Sequence, residues 1–329
     1  MQTQKKCGET MRTIAILTEC NEAEKALLLS AGGKDDKFLF FPSDAALLAC
    51  GQQADVIFGE PDLATISNLP NLRWVQMTWA GANKYTGAPG FPEHVKLTSA
   101  SGAFGGVISE HILAGILALY KNLRAYQTQL KQGLWEPILG DDTLEGKRAL
   151  ILGTGDIGSH TAKKLKAFGA TTIGICRVKK KTPECFDECY TTCALDAELP
   201  NADLVIIALP GTKQTRHLMN AERIGKMKSS ALLVNVGRGF VLDTDALTQA
   251  LESGKIRGAV LDVTDPEPLP EGHKLRHMDN VILTPHVSGV SWGENQFTRQ
   301  KIIGIFLENL QKDAVKAPLN HQIDLAQGY

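Results

Sequence analysis

The sequence lacks both an excess of one charge and an apolar run of membrane-spanning length. Its 329 residues carry a formal net charge of −1, with 22% charged and 43% hydrophobic residues. We therefore expect neither a nucleic acid nor an anionic membrane as a partner. The most apolar run, at 112–120, is too short to cross a bilayer and has helical periodicity. The opening residues, MQTQKKCGETMR, lack the apolar core of a signal peptide, which predicts a cytoplasmic location.

Cysteine pairs of the CxxC type are also missing. The seven cysteines are an odd number, which favours free thiols in a reducing compartment. Cys185, Cys189 and Cys193 recur every four residues, a spacing that could ligate a metal if a fourth ligand were close. The alternative is that DECY is a short strand and that the other two cysteines, Cys185 and Cys193, are small loop residues. We predict no metal site.

Short apolar runs and helical stretches alternate through the first hundred residues. The predicted strands are TIAILT, FLFFP, ADVIFGE, LRWVQMTW and VKLTSA, with helices at EAEKALLLSAG and SDAALLAC. From Ser109 one long helix is predicted to reach Gly133, where glycine favours a stop. The alternation then restarts with strands at RALILG, TTIGIC, ECYTT, DLVIIALP, ALLVNVG, GAVLDV and NVILTP.

This order predicts an α/β protein with two doubly wound parallel-sheet domains, Rossmann-like or flavodoxin-like, and a cleft between them. A final amphipathic helix at about 291–312 is expected to return to the first domain. We therefore assign 1–108 plus 293–329 to a substrate-binding (catalytic) domain and 109–292 to a dinucleotide-binding domain.

A glycine-rich turn, GTGDIG, follows the strand RALILG and opens the next helix. In that context it predicts a dinucleotide site. Gly153 allows the tight turn, Gly155 lets the backbone approach a pyrophosphate, and Gly158 lets helix and strand pack closely. The helix N-terminus offers amide donors to the phosphates. A glycine-rich turn without a ligand is the alternative.

The acid that usually binds the ribose of NAD is missing from the end of the following strand. TTIGIC ends at Cys176, and Arg177, Lys179, Lys180 and Lys181 follow without a carboxylate. A guanidinium at this place can pair with the 2′-phosphate of NADP. We predict that Arg177 and Lys179 contact the cofactor, with NADP(H) preferred and NAD(H) possible. A solvated basic loop is the alternative.

Three polar residues after strand ends are the candidate catalytic group. Arg238 follows ALLVNVG between two glycines, and His286 follows NVILTP. Ligands of open α/β sheets bind at this edge of the sheet. Arg238 can hold a carboxylate in two hydrogen bonds. His286 can deliver a proton if it is charged, and Glu267, held between Pro266 and Pro268, can stabilise that charged form. Three unrelated polar residues are the alternative.

The motifs GTGDIG, NVGRG, LDVTDPEPLP and TPHVSG, in this order, resemble the D-2-hydroxyacid dehydrogenase family. The resemblance covers nearly the whole chain, and the short form is similar to the glyoxylate/hydroxypyruvate reductases. It implies that the loop LPGTKQT passes near the cofactor and that Asp262 binds the nicotinamide carboxamide, although a helix-capping or turn role for Asp262 stays open. The predicted cofactor contacts are Gly153, Thr154, Gly155, Asp156, Ile157, Gly158, Arg177, Lys179, Pro210, Thr215, Val236 and Asp262.

The resemblance also implies a substrate pocket. Backbone amides of Ala80, Gly81 and Ala82 would grip the substrate carboxylate opposite Arg238. Trp79 lines the pocket in one interpretation and is a core residue in the other. Trp135 reaches the site of a second subunit, which implies a homodimer through the dinucleotide-binding domain, and Trp292 caps the pocket.

These expectations together predict NADPH-preferring reduction of a small 2-keto acid, such as glyoxylate, hydroxypyruvate or a pyruvate-like acid, to the D-2-hydroxy acid. Two alternatives stay open. One is an NAD-linked dehydrogenase that works in the oxidative direction. The other is a nicotinamide-sensing binding protein of the same fold, because a fold does not fix a function.

Overall fold

The computed structural model describes the chain except residues 1–11, 35, 87, 89, 179–180, 290–294 and 329. The predicted contacts of Lys179 and Trp292 therefore lie outside the described residues. The chain forms two compact units. The first unit consists of Met1–Ala103 with Gly293–Tyr329, and the second of Phe104–Trp292.

Twelve strands are found in the described part of the chain. They are β1 (Thr13–Ile16), β2 (Lys37–Phe40), β3 (Val56–Phe58), β4 (Trp74–Gln76), β5 (Lys96–Thr98), β6 (Arg148–Leu152), β7 (Thr171–Cys176), β8 (Glu188–Thr191), β9 (Leu204–Ile207), β10 (Leu232–Asn235), β11 (Gly258–Leu261) and β12 (Val281–Leu283). Several are buried at every position, as expected for parallel strands covered on both faces.

The α-helices of the described residues connect these strands. They are α1 (Glu22–Ala31), α2 (Asp44–Cys50), α3 (Leu63–Ser67), α4 (Gly105–Tyr120), α5 (Leu123–Lys131), α6 (Asp156–Ala167), α7 (Leu195–Glu198), α8 (Ala221–Lys226), α9 (Thr244–Glu252) and α10 (Gln296–Ala314). Short 3₁₀ turns occur at Thr192–Ala194, Leu199–Asn201, Gly239–Val241 and Lys274–Arg276.

Each unit is built on one parallel sheet. The first sheet has the strand order β2-β1-β3-β4-β5, and the second has β12-β11-β10-β9-β6-β7-β8. All neighbouring strands pair in parallel. The first order is flavodoxin-like, and the second reverses direction between β6 and β9, as in a dinucleotide-binding sheet. The predicted fold class of two doubly wound parallel sheets is confirmed.

In the first unit, α10 closes one face of the sheet. Phe306 of α10 stacks on Phe58 with ring centroids 4.3 Å apart and meets Trp74 at 5.7 Å. A buried ionic network holds the same helix, because Asp313 accepts hydrogen bonds from Arg73 at 2.6 and 2.7 Å and from Arg12 at 3.1 Å. Apolar stacking and buried charges therefore both fix the C-terminal helix.

The long helix predicted from Ser109 to Gly133 is wrong as a single element. The structure has α4 from Gly105 and α5 from Leu123, with a break at Asn122, whose φ is 52°. Asparagine tolerates this left-handed conformation better than other non-glycine residues. The five-residue helix α3 was not predicted either. The predicted start of the last helix, near 291, falls outside the described residues, and the described helix begins at Gln296.

No helix in the described part of the chain combines the length and apolar character needed to span a bilayer.

Candidate active site

The glycine-rich turn between β6 and α6 has the conformation that its sequence predicts. Gly153 has φ 106°, and a Cβ there would lie 2.5 Å from the Ala208 carbonyl oxygen. A Cβ on Gly158 would lie 1.9 Å from the Gly153 carbonyl oxygen, which no side chain could tolerate. Gly155 differs, because a Cβ there would meet no atom within 4 Å. The turn therefore leaves open space at Gly155, where a pyrophosphate fits against bare backbone.

The first turn of α6 supplies the amide groups for such an anion. Gly155 is its N-cap, and the first N–H groups of a helix have no intrahelical acceptor. The side chain of Asp156 faces elsewhere: its carboxylate accepts from the Gly105 amide at 2.7 Å and so caps α4. Thr154 packs near β7, since a Cβ on Gly174 would lie 2.6 Å from its methyl group. The predicted contact of Asp156 thus depends on its backbone amide.

The end of β7 presents a cation and no acid. β7 ends at Cys176, and Arg177 is exposed directly after it. No Asp or Glu occurs between Cys176 and Lys181 in the sequence.

The other predicted cofactor residues follow β9 and β10. Thr212 donates its amide to the Thr215 hydroxyl at 2.8 Å, and the same hydroxyl lies 2.9 Å from the Pro210 carbonyl oxygen. These bonds give the loop after β9 a fixed shape. Val236 is buried at the end of β10, and its amide donates to Ile207.

His286 and Glu267 are in direct contact. Nδ1 of His286 lies 2.5 Å from Oε1 of Glu267, and both side chains are partly exposed. Oε2 of Glu267 also lies 3.4 Å from the Thr264 amide. Because the carboxylate occupies Nδ1, Nε2 is the ring nitrogen that can exchange a proton with a ligand.

Arg238 belongs to the same electrostatic group. Burial lowers the pKa of its guanidinium, and the negative charge of Glu267 opposes that shift. Glycine brings the two loops together, since a Cβ on Gly239 would lie 1.8 Å from the Thr264 carbonyl oxygen. The NVGRG turn can therefore approach the loop of Glu267 only because residue 239 has no side chain. The structure thus gathers the three predicted catalytic residues at the carboxyl ends of β10, β11 and β12.

The backbone around His286 is held by Asp262, which is 1% exposed. His286 itself has φ 55°. Oδ1 of Asp262 accepts from the Thr284 hydroxyl at 2.7 Å and from the Val287 amide at 2.8 Å, and Oδ2 accepts from the Ser288 amide at 3.0 Å. These donors outweigh burial and lower the pKa of Asp262. The helix-capping alternative for Asp262 is wrong, and its side chain holds the loop that carries the histidine.

His111 extends this network from α4. Its Nε2 lies 3.1 Å from the Thr284 hydroxyl oxygen. The hydroxyl has one hydrogen, which it gives to the ionised Asp262, so it must accept from His111. His111 therefore carries its proton on Nε2.

In the first unit, the loop 79–83 follows β4. Thr78 donates its amide to Oε1 of Glu60 at 2.6 Å. Within the described residues, the amides of Ala80, Gly81 and Ala82 donate to no protein acceptor. Three successive N–H groups without an acceptor can together bind an anion. Trp79 is 43% exposed, so its interpretation as a core residue is wrong.

Trp135 lies after α5 and is 88% exposed. It borders a surface groove formed with Tyr126, Leu130, Leu134 and Pro137. A tryptophan so exposed, beside other apolar side chains, marks a surface suited to a partner.

The described cysteines are all free. Cys189 lies in β8, and burial raises the pKa of its thiol. Cys185 is partly buried and Cys193 is exposed. Among the described residues, no group of three or more His, Cys, Asp or Glu side chains is placed to hold a metal ion.

Comparison with known proteins identifies the family. The family model for the NAD binding domain of D-isomer specific 2-hydroxyacid dehydrogenases matches residues 113–288. The glyoxylate reductase of Thermofilum pendens is 32% identical over 70% of this chain and 69% of its own. The chain belongs to the D-isomer specific 2-hydroxyacid dehydrogenase family.

Solved structures agree with this family. A D-isomer specific 2-hydroxyacid dehydrogenase from Xanthobacter autotrophicus, in complex with NADPH and MES, superposes with a TM-score of 0.83 at 27% identity and covers 97% of this chain and 100% of its own. The NADPH-dependent glyoxylate/hydroxypyruvate reductase from Sinorhizobium meliloti, in complex with NADP and sulfate, gives 0.79 at 25% identity, with coverage of 97% and 100%.

The family predicted from the four motifs is therefore confirmed, and the protein is an NAD(P)-dependent 2-hydroxyacid dehydrogenase. Its cofactor is a nicotinamide dinucleotide, and the matched domain lies within the second unit. The open space at Gly155 and the first turn of α6 fit such a group.

Two features of this dehydrogenase were missed in the sequence. Thr284 stands two residues before His286, but only the fold shows that it bonds both Asp262 and His111, which is 173 residues away. Glu60 follows β3 and is 18 residues from Thr78. The signal for both was a polar residue within two positions of the end of a strand.

Proposed function

We propose that this dehydrogenase reduces a small 2-keto acid, of the glyoxylate, hydroxypyruvate or pyruvate type, to the D-2-hydroxy acid, and that it prefers NADPH. The observation that carries the proposal is the 2.5 Å contact of Glu267 with His286 in the electrostatic group of Arg238. A cation for a carboxylate and an imidazolium for a carbonyl oxygen are the protein groups that this reduction requires. The names of the glyoxylate and hydroxypyruvate reductase relatives support the same substrate class.

In this mechanism Arg238 binds the substrate carboxylate and polarises the neighbouring carbonyl. The amides of Ala80, Gly81 and Ala82 are further donors for that carboxylate. Nε2 of His286 donates its proton to the carbonyl oxygen as that oxygen becomes an alkoxide. Glu267 fixes the ring of His286 through Nδ1 and places a negative charge beside it. The bound nicotinamide supplies the hydride.

The preference for NADPH rests on Arg177. It is exposed at the end of β7, where an acid would repel a 2′-phosphate, and no acid is present. Arg177→Asp should raise the KM for NADPH and lower that for NADH, whereas Lys181→Asp, in the same basic stretch, should change the preference less. Equal effects of both substitutions would assign the preference to the net charge of the loop instead.

The test is oxidation of NADPH and of NADH with glyoxylate, hydroxypyruvate, pyruvate and phenylpyruvate. We expect turnover with at least one small acid, faster with NADPH, and loss of turnover but retention of NADPH binding in His286→Ala and Arg238→Ala. Faster oxidation of a D-2-hydroxy acid with NAD would favour the oxidative direction. Cofactor binding without any turnover would favour a sensing protein.

The proposal includes a homodimer formed through the second unit. The support is the exposed apolar surface around α5, where Trp135 is 88% and Leu139 91% exposed. Trp135→Glu should halve the mass measured by light scattering. Phe168→Glu, at another exposed apolar side chain of the same unit, should leave it unchanged. A monomeric wild type would refute the dimer.

A further inference from the structure

Glu60 is a partly buried acid that the mechanism above does not use. It follows β3, and its carboxylate accepts from the Thr78 amide at 2.6 Å and from the Thr78 hydroxyl at 3.0 Å. The Trp79 amide is a further donor. Burial raises the pKa of Glu60, while these donors and the charge of Lys84 oppose that shift. The acid therefore binds the two residues that directly precede the loop 80–82.

Residues 60–62 also hold the C-terminal end of the loop 80–82. Lys84 donates to the Glu60 carbonyl oxygen at 2.8 Å and pairs with Asp62 at 2.9 Å. The hydroxyl of Tyr85, which is 1% exposed, donates to the Pro61 carbonyl oxygen at 2.8 Å. Residues 60–62 thus contact the chain on both sides of 80–82.

This arrangement separates two kinds of amide. Those of Thr78 and Trp79 are bound to Glu60, whereas those of Ala80, Gly81 and Ala82 have no acceptor among the described residues. The bonds to Glu60 fix the amides of residues 78 and 79. Without these bonds, the direction of the amides of residues 80–82 would no longer be fixed from that side. Preorganised donors bind an anion more strongly than donors that must first be ordered.

We propose that Glu60 is a positioning residue that fixes the loop 80–82 as an anion site for the substrate carboxylate. The inference rests on the proposed function, because it takes that loop to bind the keto acid. Glu60 is an acid and cannot itself bind an anion, but in this proposal it controls the affinity for the substrate. It predicts an effect on the KM for the keto acid and none on the KM for NADPH.

The experiment compares Glu60→Gln with Asp55→Asn. Asp55 stands at the other end of β3, and its carboxylate also accepts a backbone amide, that of Thr13, at 2.7 Å. Glutamine keeps one acceptor oxygen but turns an NH₂ group toward the donors. We expect Glu60→Gln to raise the KM for the keto acid about tenfold, with kcat changed less than about threefold and the KM for NADPH unchanged. Asp55→Asn should alter only thermal stability.

A binding measurement makes the result independent of turnover. Oxamate, an unreactive analogue of pyruvate, is titrated into the full chain by calorimetry. Its Kd should rise about tenfold in Glu60→Gln, corresponding to about 1.4 kcal/mol, and stay constant in Asp55→Asn. If Glu60→Gln does not fold, Thr78→Val removes one donor to the same carboxylate and should raise the Kd by a smaller factor, which Thr78→Ser should restore.

The outcomes separate the two proposals. An active wild type with an unchanged KM and oxamate Kd in Glu60→Gln would overturn the positioning role and leave the proposed function intact. A wild type that binds oxamate with the expected loss in Glu60→Gln, yet reduces no keto acid, would overturn the proposed function and support the positioning role. Equal losses in Glu60→Gln and Asp55→Asn would reduce Glu60 to a structural role.

Discussion

Gly155→Ala tests the cofactor site without disturbing the fold. The backbone there, with φ −80° and ψ −157°, is open to alanine, and the added Cβ meets no atom within 4 Å. The free energy of unfolding should therefore change by less than about 1 kcal/mol. The methyl group would occupy the space that a pyrophosphate needs against the backbone. We expect the Kd for NADPH to rise at least about tenfold, equivalent to about 1.4 kcal/mol.

Two other glycine variants serve as controls for Gly155→Ala. Gly158→Ala forces a Cβ to 1.9 Å from the Gly153 carbonyl oxygen, so it should destabilise the fold by about 3 kcal/mol or more. Gly225→Ala, in α8, also adds a methyl group in open space and should leave NADPH binding unchanged. Calorimetric titration with NADPH and thermal melting measure both quantities. Unchanged NADPH affinity in Gly155→Ala would refute the assignment of the pyrophosphate to this turn.

Two further predictions concern hydrogen-bond networks. Thr284→Val removes the hydroxyl that donates to Asp262, a bond to a charged group worth about 1.5–3 kcal/mol. We expect kcat to fall about tenfold or more while Thr284→Ser retains activity, and equal activity of the valine and serine variants would contradict this role. Arg73 and Arg12 lower the pKa of Asp313 against its burial, so the stabilisation is present above the unfolded pKa of about 3.9 and is lost as pH falls further. Asp313→Asn should lower the free energy of urea unfolding by about 3 kcal/mol at pH 7 and by less at pH 3; an equal cost at both pH values would exclude the ionic origin.

The sequence predicted the sheets more completely than the helices. Most described strands lie inside an apolar run of the kind that a buried parallel strand requires, with β8 and β2 as exceptions, and the glycines around β6 and β10 indicated where ligands approach. The break at Asn122 was missed because periodicity continues through it, and only the backbone shows its left-handed conformation. The sequence pattern around Asn122 does not indicate this left-handed conformation.

The sequence predicted the catalytic candidates of the site but not the residues that hold them in place. Strand ends and motif order pointed to Arg238, Glu267 and His286, because such positions share one sheet edge. The bonds of Thr284 with His111 and of Glu60 with Thr78 join residues from different strand–helix units. They depend on how the elements pack, which no spacing along the chain encodes.

Asp262 shows why the supports matter for function. A carboxylate has about four acceptor sites, and Asp262 receives the Thr284 hydroxyl, the Val287 amide, and the amide and side chain of Ser288. A bond to a nicotinamide carboxamide, as the family resemblance implies, would require one of these donors to be shared or released. The carboxylate also holds a backbone segment in which His286 has φ 55°, a conformation that costs about 1–3 kcal/mol in a non-glycine residue. Asp262 can therefore affect catalysis by fixing the histidine, whether or not it contacts the cofactor.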